Sequence, residues 1–137
     1  MSRLHATPVA QATGRAAELF TAIKGSIGMV PNAYVTIGSN SPVALEAALN
    51  LDGALRKSSL SAKQIEVIKL AVSAVNEWDY CHAAHSLMGK HAGLSRDAIQ
   101  ALRTGAPTGD DAIDALAAFV RRLVSSAGTV PAEVLAT

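Results

Sequence analysis

Three side chains in the middle of the chain could work together as a proton relay: Cys81, His85 and Glu66. Cys81 is the only cysteine, and His85 follows it by four residues, so on a helix the two side chains lie one turn apart on the same face. An imidazole placed there can take the proton of a thiol, and a carboxylate can orient the imidazole. The spacing therefore predicts chemistry that depends on a reactive cysteine.

Glu66 can reach this pair only if its own helix ends before Cys81. Along one straight helix Glu66 and Cys81 would lie about 22 Å apart. Residues 76–79 offer a break, because Asn76 tolerates the left-handed conformation that ends helices and Asp79 can cap a new helix. We therefore predict two helices that fold back as a hairpin and return Glu66 toward His85. Cys81 would lie in the first turn of the second helix, where the helix dipole favours a thiolate.

The rest of the sequence predicts an all-α fold of about six helices around this central helical hairpin. Ser61 and Gln64 have the spacing of a capping box that starts the first hairpin helix, and Ser95 is expected to cap a later helix in the same way. Gly25 is expected to end an N-terminal helix, and Gly38 to end a short one. No alternating strand pattern occurs in the sequence.

The composition is typical of one helical domain. Of the 137 residues, 50% are apolar and 17% are charged, with a formal net charge of +1. This balance gives no support to binding of nucleic acid or of a membrane surface. A single cysteine and the lack of an apolar leader predict a cytoplasmic protein. We expect a flexible leader over residues 1–12 and a single helical domain over residues 13–137.

The core stretch resembles the alkylhydroperoxidase (AhpD-like) and carboxymuconolactone decarboxylase family. The resemblance rests on Glu66, the LAVSAVN segment that follows it, and the pattern Tyr80-Cys81-x-x-x-His85. Weaker similarity extends over about residues 20–124. The resemblance implies that Glu66 is a relay carboxylate, Cys81 the cysteine that attacks a peroxide, and His85 a relay histidine. It also implies a homo-oligomer, either a trimer or a dimer-based hexamer.

Two positions differ from the pattern of the redox members of that family. Trp78 stands where the partner cysteine of their Cys-x-x-Cys pair belongs, and Tyr80 stands where some members have a histidine. With one thiol the chain cannot form an internal disulfide, so an external thiol would have to regenerate Cys81. Trp78 and Tyr80 are expected to cover the thiol or to shape an apolar substrate pocket.

Three functions remain open. The first is a thiol-dependent reductase of alkyl hydroperoxides. The second is a non-redox enzyme similar to a lactone decarboxylase, in which His85 and Glu66 act as acid and base and Cys81 is a bystander. The third is a non-catalytic oligomeric protein. No cofactor or metal is expected, since no second cysteine or carboxylate cluster lies near His82 and His85 in the sequence. His82 is expected to be solvated or at an interface.

Overall fold

The protein is entirely helical in the part of the chain that the computed structural model describes, residues 3–135. These residues form eight α-helices and one short 3₁₀-helix, and no strand occurs among them. The all-α class is therefore confirmed. The predicted number of about six helices is too low, because the chain also forms short helices, down to the four residues of the last one. None of the described helices combines the length and apolar character needed to cross a bilayer.

The chain divides into two compact units, one up to Lys57 and one from Ser58 onward. The prediction of a single domain after a flexible leader stays a prediction. The first unit contains the 3₁₀-helix Val9–Gln11 and the helices α1 (Gly14–Ile27), α2 (Asn32–Asn40) and α3 (Pro42–Leu55). The second unit contains α4 (Ala62–Val75), α5 (Asp79–His91), α6 (Arg96–Thr104), α7 (Asp111–Ser125) and α8 (Ala132–Leu135).

In the first unit α1, α2 and α3 pack around a small core that includes Phe20 and Leu45. Gly38 lies inside α2 and does not end it, so that prediction is wrong. A Cβ atom at Gly38 would lie 2.6 Å from Cε1 of Phe20 and 2.8 Å from Cδ2 of Leu45, so the close packing requires a glycine there. The predicted end of α1 at Gly25 is also wrong. The helix continues to Ile27, and Gly28 ends it in the left-handed conformation at φ +80°.

Part of the predicted leader is hydrogen-bonded to the end of α2. The backbone N–H of Thr7 donates to Oγ of Ser39 at 2.9 Å. The side-chain amide of Asn40 donates to the carbonyl of His5 at 2.6 Å. These two bonds hold His5 and Thr7 against the end of α2 within the first unit.

In the second unit α4 is the central helix, since α5, α6 and α7 all contact it. Its buried apolar side chains belong to a cluster of nine buried residues that α6, α7 and Leu94 complete: Val67, Leu70, Ala71, Leu94, Ala98, Leu102, Ile113, Ala117 and Val120. The predicted capping box at its start is present. The Ser61 N–H donates to Oε1 of Gln64 at 2.8 Å, and the Gln64 N–H donates to Oγ of Ser61 at 3.2 Å. The predicted cap at Ser95 is also present at the start of α6.

The turn between α4 and α5 is a Schellman motif, which reverses the chain direction within three residues. Glu77 adopts the left-handed conformation at φ +54°, and the N–H of Trp78 donates to the carbonyl of Ser73 at 2.9 Å. The expectation that Asn76 would be left-handed is wrong, because Asn76 stays at φ −92° and the next residue makes the reversal. Asp79 is the first residue of α5 and not its cap. Trp78 occupies the cap position without a side-chain hydrogen bond to the helix.

Candidate active site on helices α4 and α5

The hairpin brings Glu66 of α4 and His85 of α5 into direct contact. Oε2 of Glu66 lies 2.9 Å from Nδ1 of His85. Glu66 is only 5% exposed, so its carboxylate is almost completely removed from water. An ionised carboxylate only accepts hydrogen bonds, so Nδ1 of His85 donates and carries a proton. When the imidazole is neutral, Nε2 is then the nitrogen with a free lone pair, and it can accept a proton from another group.

A glycine allows the two helices to approach at this point. A Cβ atom at Gly89 would lie 3.0 Å from Cδ1 of Leu94, 3.4 Å from Cδ1 of Leu70 and 3.9 Å from Cβ of Glu66. Gly89 follows His85 by one helical turn, so it lies on the same side of α5. The absence of a side chain at Gly89 therefore contributes directly to the short distance between the Glu66 carboxylate and the imidazole.

Cys81 is a free, half-buried thiol in the first turn of α5. The predicted position of Cys81 in a first helical turn is confirmed. It precedes His85 by one turn of the same helix, so the two side chains share a face of α5. The first-turn N–H groups of a helix lack intrahelical partners and favour a nearby negative charge.

Lys69 is a further charged residue at this site, and sequence reasoning missed it as a functional candidate. Its Nζ atom lies 3.7 Å from Oε1 of Glu66, three residues earlier on α4. The signal that could have identified it was the polar strip that Glu66, Lys69 and Ser73 form on an otherwise apolar helix. Glu66 and Ser73 are buried and Lys69 is half-buried. A buried carboxylate needs such partners, because an isolated buried charge is costly.

Trp78 and Tyr80 shortly precede the thiol in sequence, but about half of each residue is exposed, 54% and 50% respectively. Trp78 lines an open cleft of about 460 Å³ together with His82 and the ion pair between Asp79 and Arg103. The structure therefore places Trp78 at a cleft. Its role in substrate binding, like that of Tyr80, stays a prediction.

His82 is buried, so the expectation that it would be solvated or at an interface is wrong. It is only 6% exposed, its Nδ1 atom lies 3.3 Å from Oγ of Ser86, and within residues 3–135 its Nε2 atom has no hydrogen-bond partner. Burial lowers the pKa of His82, and the positive charge of Arg103 lowers it further. His82 is therefore held in its neutral form. The amphipathic pattern of α5 is weak, so the sequence did not predict that His82 would be buried.

The described residues contain no arrangement typical of a metal site. Among residues 3–135 no group of three or more histidine, cysteine, aspartate or glutamate side chains is placed to hold a metal ion. The arrangement at Glu66, His85 and Cys81 can instead move protons. It has a buried carboxylate, an imidazole fixed by that carboxylate, and a thiol one helical turn away.

The fold and these side chains define a helical protein with a carboxylate–histidine pair beside a single cysteine. A sequence model of the carboxymuconolactone decarboxylase family matches residues 42–122, which is more than half of the chain. The chain therefore belongs to the carboxymuconolactone decarboxylase family. No curated protein sequence matches the chain significantly. The matched range includes all of α4 and α5, and with them Glu66, Cys81 and His85.

Proposed function

We propose that the protein is a thiol-dependent reductase of alkyl hydroperoxides that uses Cys81 as its single redox-active residue. The observation that carries this proposal is the 2.9 Å contact between Glu66 and Nδ1 of His85 on the hairpin that also holds Cys81. That contact leaves Nε2 of His85 free to take a proton. Cys81 precedes His85 by four residues, so its thiol lies on the same face of the helix.

In the first half of the reaction, His85 removes the proton of the Cys81 thiol. The thiolate attacks the terminal oxygen of the hydroperoxide, so an S–O bond forms and the O–O bond breaks. The sulfur is oxidised to a sulfenic acid and the hydroperoxide is reduced to an alkoxide. His85 returns the proton to this alkoxide, which leaves as the alcohol. Glu66 stabilises the imidazolium that exists between these two steps.

In the second half of the reaction, two molecules of an external thiol supply the two electrons. The first thiol attacks the sulfenic acid, releases water and forms a mixed disulfide with Cys81. The second thiol attacks that disulfide, regenerates the Cys81 thiol and leaves as the oxidised disulfide. An external reductant is required because Cys81 is the only cysteine of the chain.

The test is consumption of tert-butyl hydroperoxide in the presence of dithiothreitol, with and without Cys81. The variant Cys81→Ser should lose turnover and keep the helical circular-dichroism spectrum of the wild type. The variant His85→Ala should also lose most turnover, whereas His91→Ala, which removes an exposed histidine of the same helix, should not. If Cys81→Ser consumes hydroperoxide like the wild type, the proposal is wrong.

A non-redox reaction is the second candidate, because the pairing of Glu66 with His85 does not itself require a thiol. In this reaction His85 and Glu66 would act as acid and base on a small carboxylated lactone. The family name and the buried position of Glu66 favour it. Here Cys81→Ala should keep the activity and His85→Ala should lose it. Retention of activity by His85→Ala would exclude this candidate.

We also propose that the protein is cytoplasmic and assembles as a homo-oligomer, a trimer or a hexamer. The outer side of α5 supports an assembly, since Tyr80, Ala83, Ala84 and Leu87 leave an apolar surface exposed. Native mass spectrometry would measure the number of copies. A monomer at micromolar concentration would contradict the proposal. A monomer would exclude the non-catalytic oligomeric function as well.

A further inference from the structure

The open cleft of about 460 Å³ at the start of α5 carries charged groups of both signs. Glu77 and Asp79 contribute carboxylates to its wall, and Arg103 of α6 contributes a guanidinium. Arg103 donates one hydrogen bond to Oδ1 of Asp79 at 3.1 Å, and more than half of each of these two side chains is exposed. Such an exposed pair holds only weakly, so a ligand in the cleft can compete for the guanidinium.

The wall of the cleft also contains a buried hydrogen-bond acceptor. His82 lines the cleft, and within residues 3–135 its Nε2 atom has no hydrogen-bond partner. Burial lowers the pKa of His82, so the imidazole is neutral. The hydroxyl of Ser86 donates to the His82 carbonyl at 2.7 Å and therefore presents a lone pair to Nδ1 at 3.3 Å. Nδ1 thus carries the proton, and Nε2 is an acceptor that calls for a donor.

Trp78 connects this cleft with the thiol of Cys81. The Trp78 carbonyl accepts a hydrogen bond from the N–H of His82 at 2.9 Å, which starts the bonding pattern of α5. Trp78 also precedes Cys81 by three residues, so it neighbours both Cys81 and His82 at the start of the helix. The cleft therefore begins beside the first helical turn that holds the thiol.

We propose that this cleft binds the reductant of Cys81, and that the reductant is a small amino-acid thiol with an ammonium and a carboxylate group. The proposal rests on the proposed function, because only an oxidised Cys81 needs a reductant. Arg103 binds the carboxylate of the ligand, and Glu77 binds its ammonium group. The ammonium group also donates to Nε2 of His82, which becomes accessible when the half-exposed indole of Trp78 moves aside.

The bound thiol then reduces the sulfenic acid of Cys81. A sulfur–sulfur bond forms, the S–O bond breaks, and the hydroxide leaves as water with the proton of the thiol. A second molecule of the same thiol attacks the ligand sulfur of this mixed disulfide, and its proton passes to the departing Cys81 thiolate. Two thiols are oxidised to one disulfide, which balances the two-electron reduction of the sulfenic acid.

The test of binding uses the fluorescence of Trp78, the only tryptophan of the chain. S-methylcysteine has both charges but no free thiol, and it should change the fluorescence of the wild type in a saturable titration. Arg103→Met should weaken this binding roughly fivefold, because a charge-assisted hydrogen bond at a half-exposed site is lost. Arg103→Lys should recover most of the affinity. The control Arg96→Met removes an exposed arginine at the other end of α6 and should bind like the wild type.

Two analogues separate the contributions of the two charges. Methylthiopropanoate lacks the ammonium group and methylthioethylamine lacks the carboxylate, so each should bind the wild type more weakly than S-methylcysteine does. Arg103→Met should weaken binding of the propanoate more than that of the amine, and Glu77→Gln should do the reverse. In turnover of tert-butyl hydroperoxide, Arg103→Met should raise the KM for cysteine several-fold more than the KM for uncharged dithiothreitol.

Absence of S-methylcysteine binding by the wild type, or equal binding by the wild type and Arg103→Met, would overturn the proposal. So would equal changes in the KM values for cysteine and dithiothreitol. If Arg103→Met loses the helical circular-dichroism spectrum, Arg103→Gln removes the same charge with a polar side chain. A failure of the proposed function is a different result: Cys81→Ser would still consume hydroperoxide, and the fluorescence titration does not depend on turnover.

Discussion

Replacing Gly89 by alanine should disturb the packing between α4 and α5 and the contact between Glu66 and His85. The new Cβ atom would lie 3.0 Å from Cδ1 of Leu94 and 3.4 Å from Cδ1 of Leu70. Both leucines are buried in the core of the second unit, so neither side chain can move away freely. The strain should push α5 away from α4 near the relay.

The size of the effect follows from two opposing contributions. Alanine is favoured over glycine inside a helix by about 0.5–1 kcal/mol. Inserting a methyl group into a tightly packed core costs about 1–3 kcal/mol. The net change in the free energy of unfolding should therefore be a loss of about 0–2.5 kcal/mol.

Gly53→Ala is the matched control, because Gly53 also lies two residues before the end of its helix. A Cβ atom at Gly53 would meet no heavy atom within 4 Å. Gly53→Ala should therefore raise the free energy of unfolding by about 0.5–1 kcal/mol, the preference of alanine over glycine inside a helix. Urea unfolding followed by circular dichroism measures both changes. If Gly89→Ala is stabilised as much as Gly53→Ala, the close approach of the helices at Gly89 does not exist as described.

Two further predictions concern stability. His82 has a pKa below its ordinary value of 6.5, chiefly because of burial. The unfolded chain therefore binds this proton at a higher pH than the folded chain does, and the free energy of unfolding should fall as the pH drops below about 6.5. In urea titrations at several pH values, His82→Phe should weaken that fall and His91→Phe should not; identical pH dependence in the two variants would argue against a buried, neutral His82. Ser61→Ala removes the hydroxyl that caps α4 and should cost about 1 kcal/mol, measured as a lower thermal midpoint; an unchanged midpoint would show that the cap contributes nothing.

Helix starts were predictable from the sequence because caps are local. Ser61 with Gln64, and Ser95, need only a hydrogen-bonding side chain and an N–H group two or three residues later, and both caps are present. Helix ends were less predictable. Gly25 and Gly28 both had the residue type of a helix end, and residue type alone did not distinguish Gly28, which ends α1, from Gly25. Gly38 lies inside a helix, and it is a glycine because the side chains of Phe20 and Leu45 leave no room for a Cβ atom there.

The contact between Glu66 and His85 was expected only on the condition that the chain reverses between α4 and α5. The reversal is present, but it uses Glu77 in a conformation that non-glycine residues adopt uncommonly. Residue preferences alone favoured Asn76 for this position. The sequence could not indicate the burial of His82, because that burial depends on which face of α5 the rest of the second unit covers. The contact of Lys69 with Glu66 could have been predicted, since the two residues are three apart on the polar strip of α4.

The measurement that tests the central claim most directly is the rate of Cys81 alkylation by iodoacetamide as a function of pH, read by intact mass. Three proteins should be compared: the wild type, His85→Ala and His91→Ala. The relay predicts rapid alkylation of the wild type and of His91→Ala at neutral pH, and a rate reduced at least several-fold in His85→Ala. Equal rates in all three proteins would contradict the claim that His85 serves the thiol of Cys81.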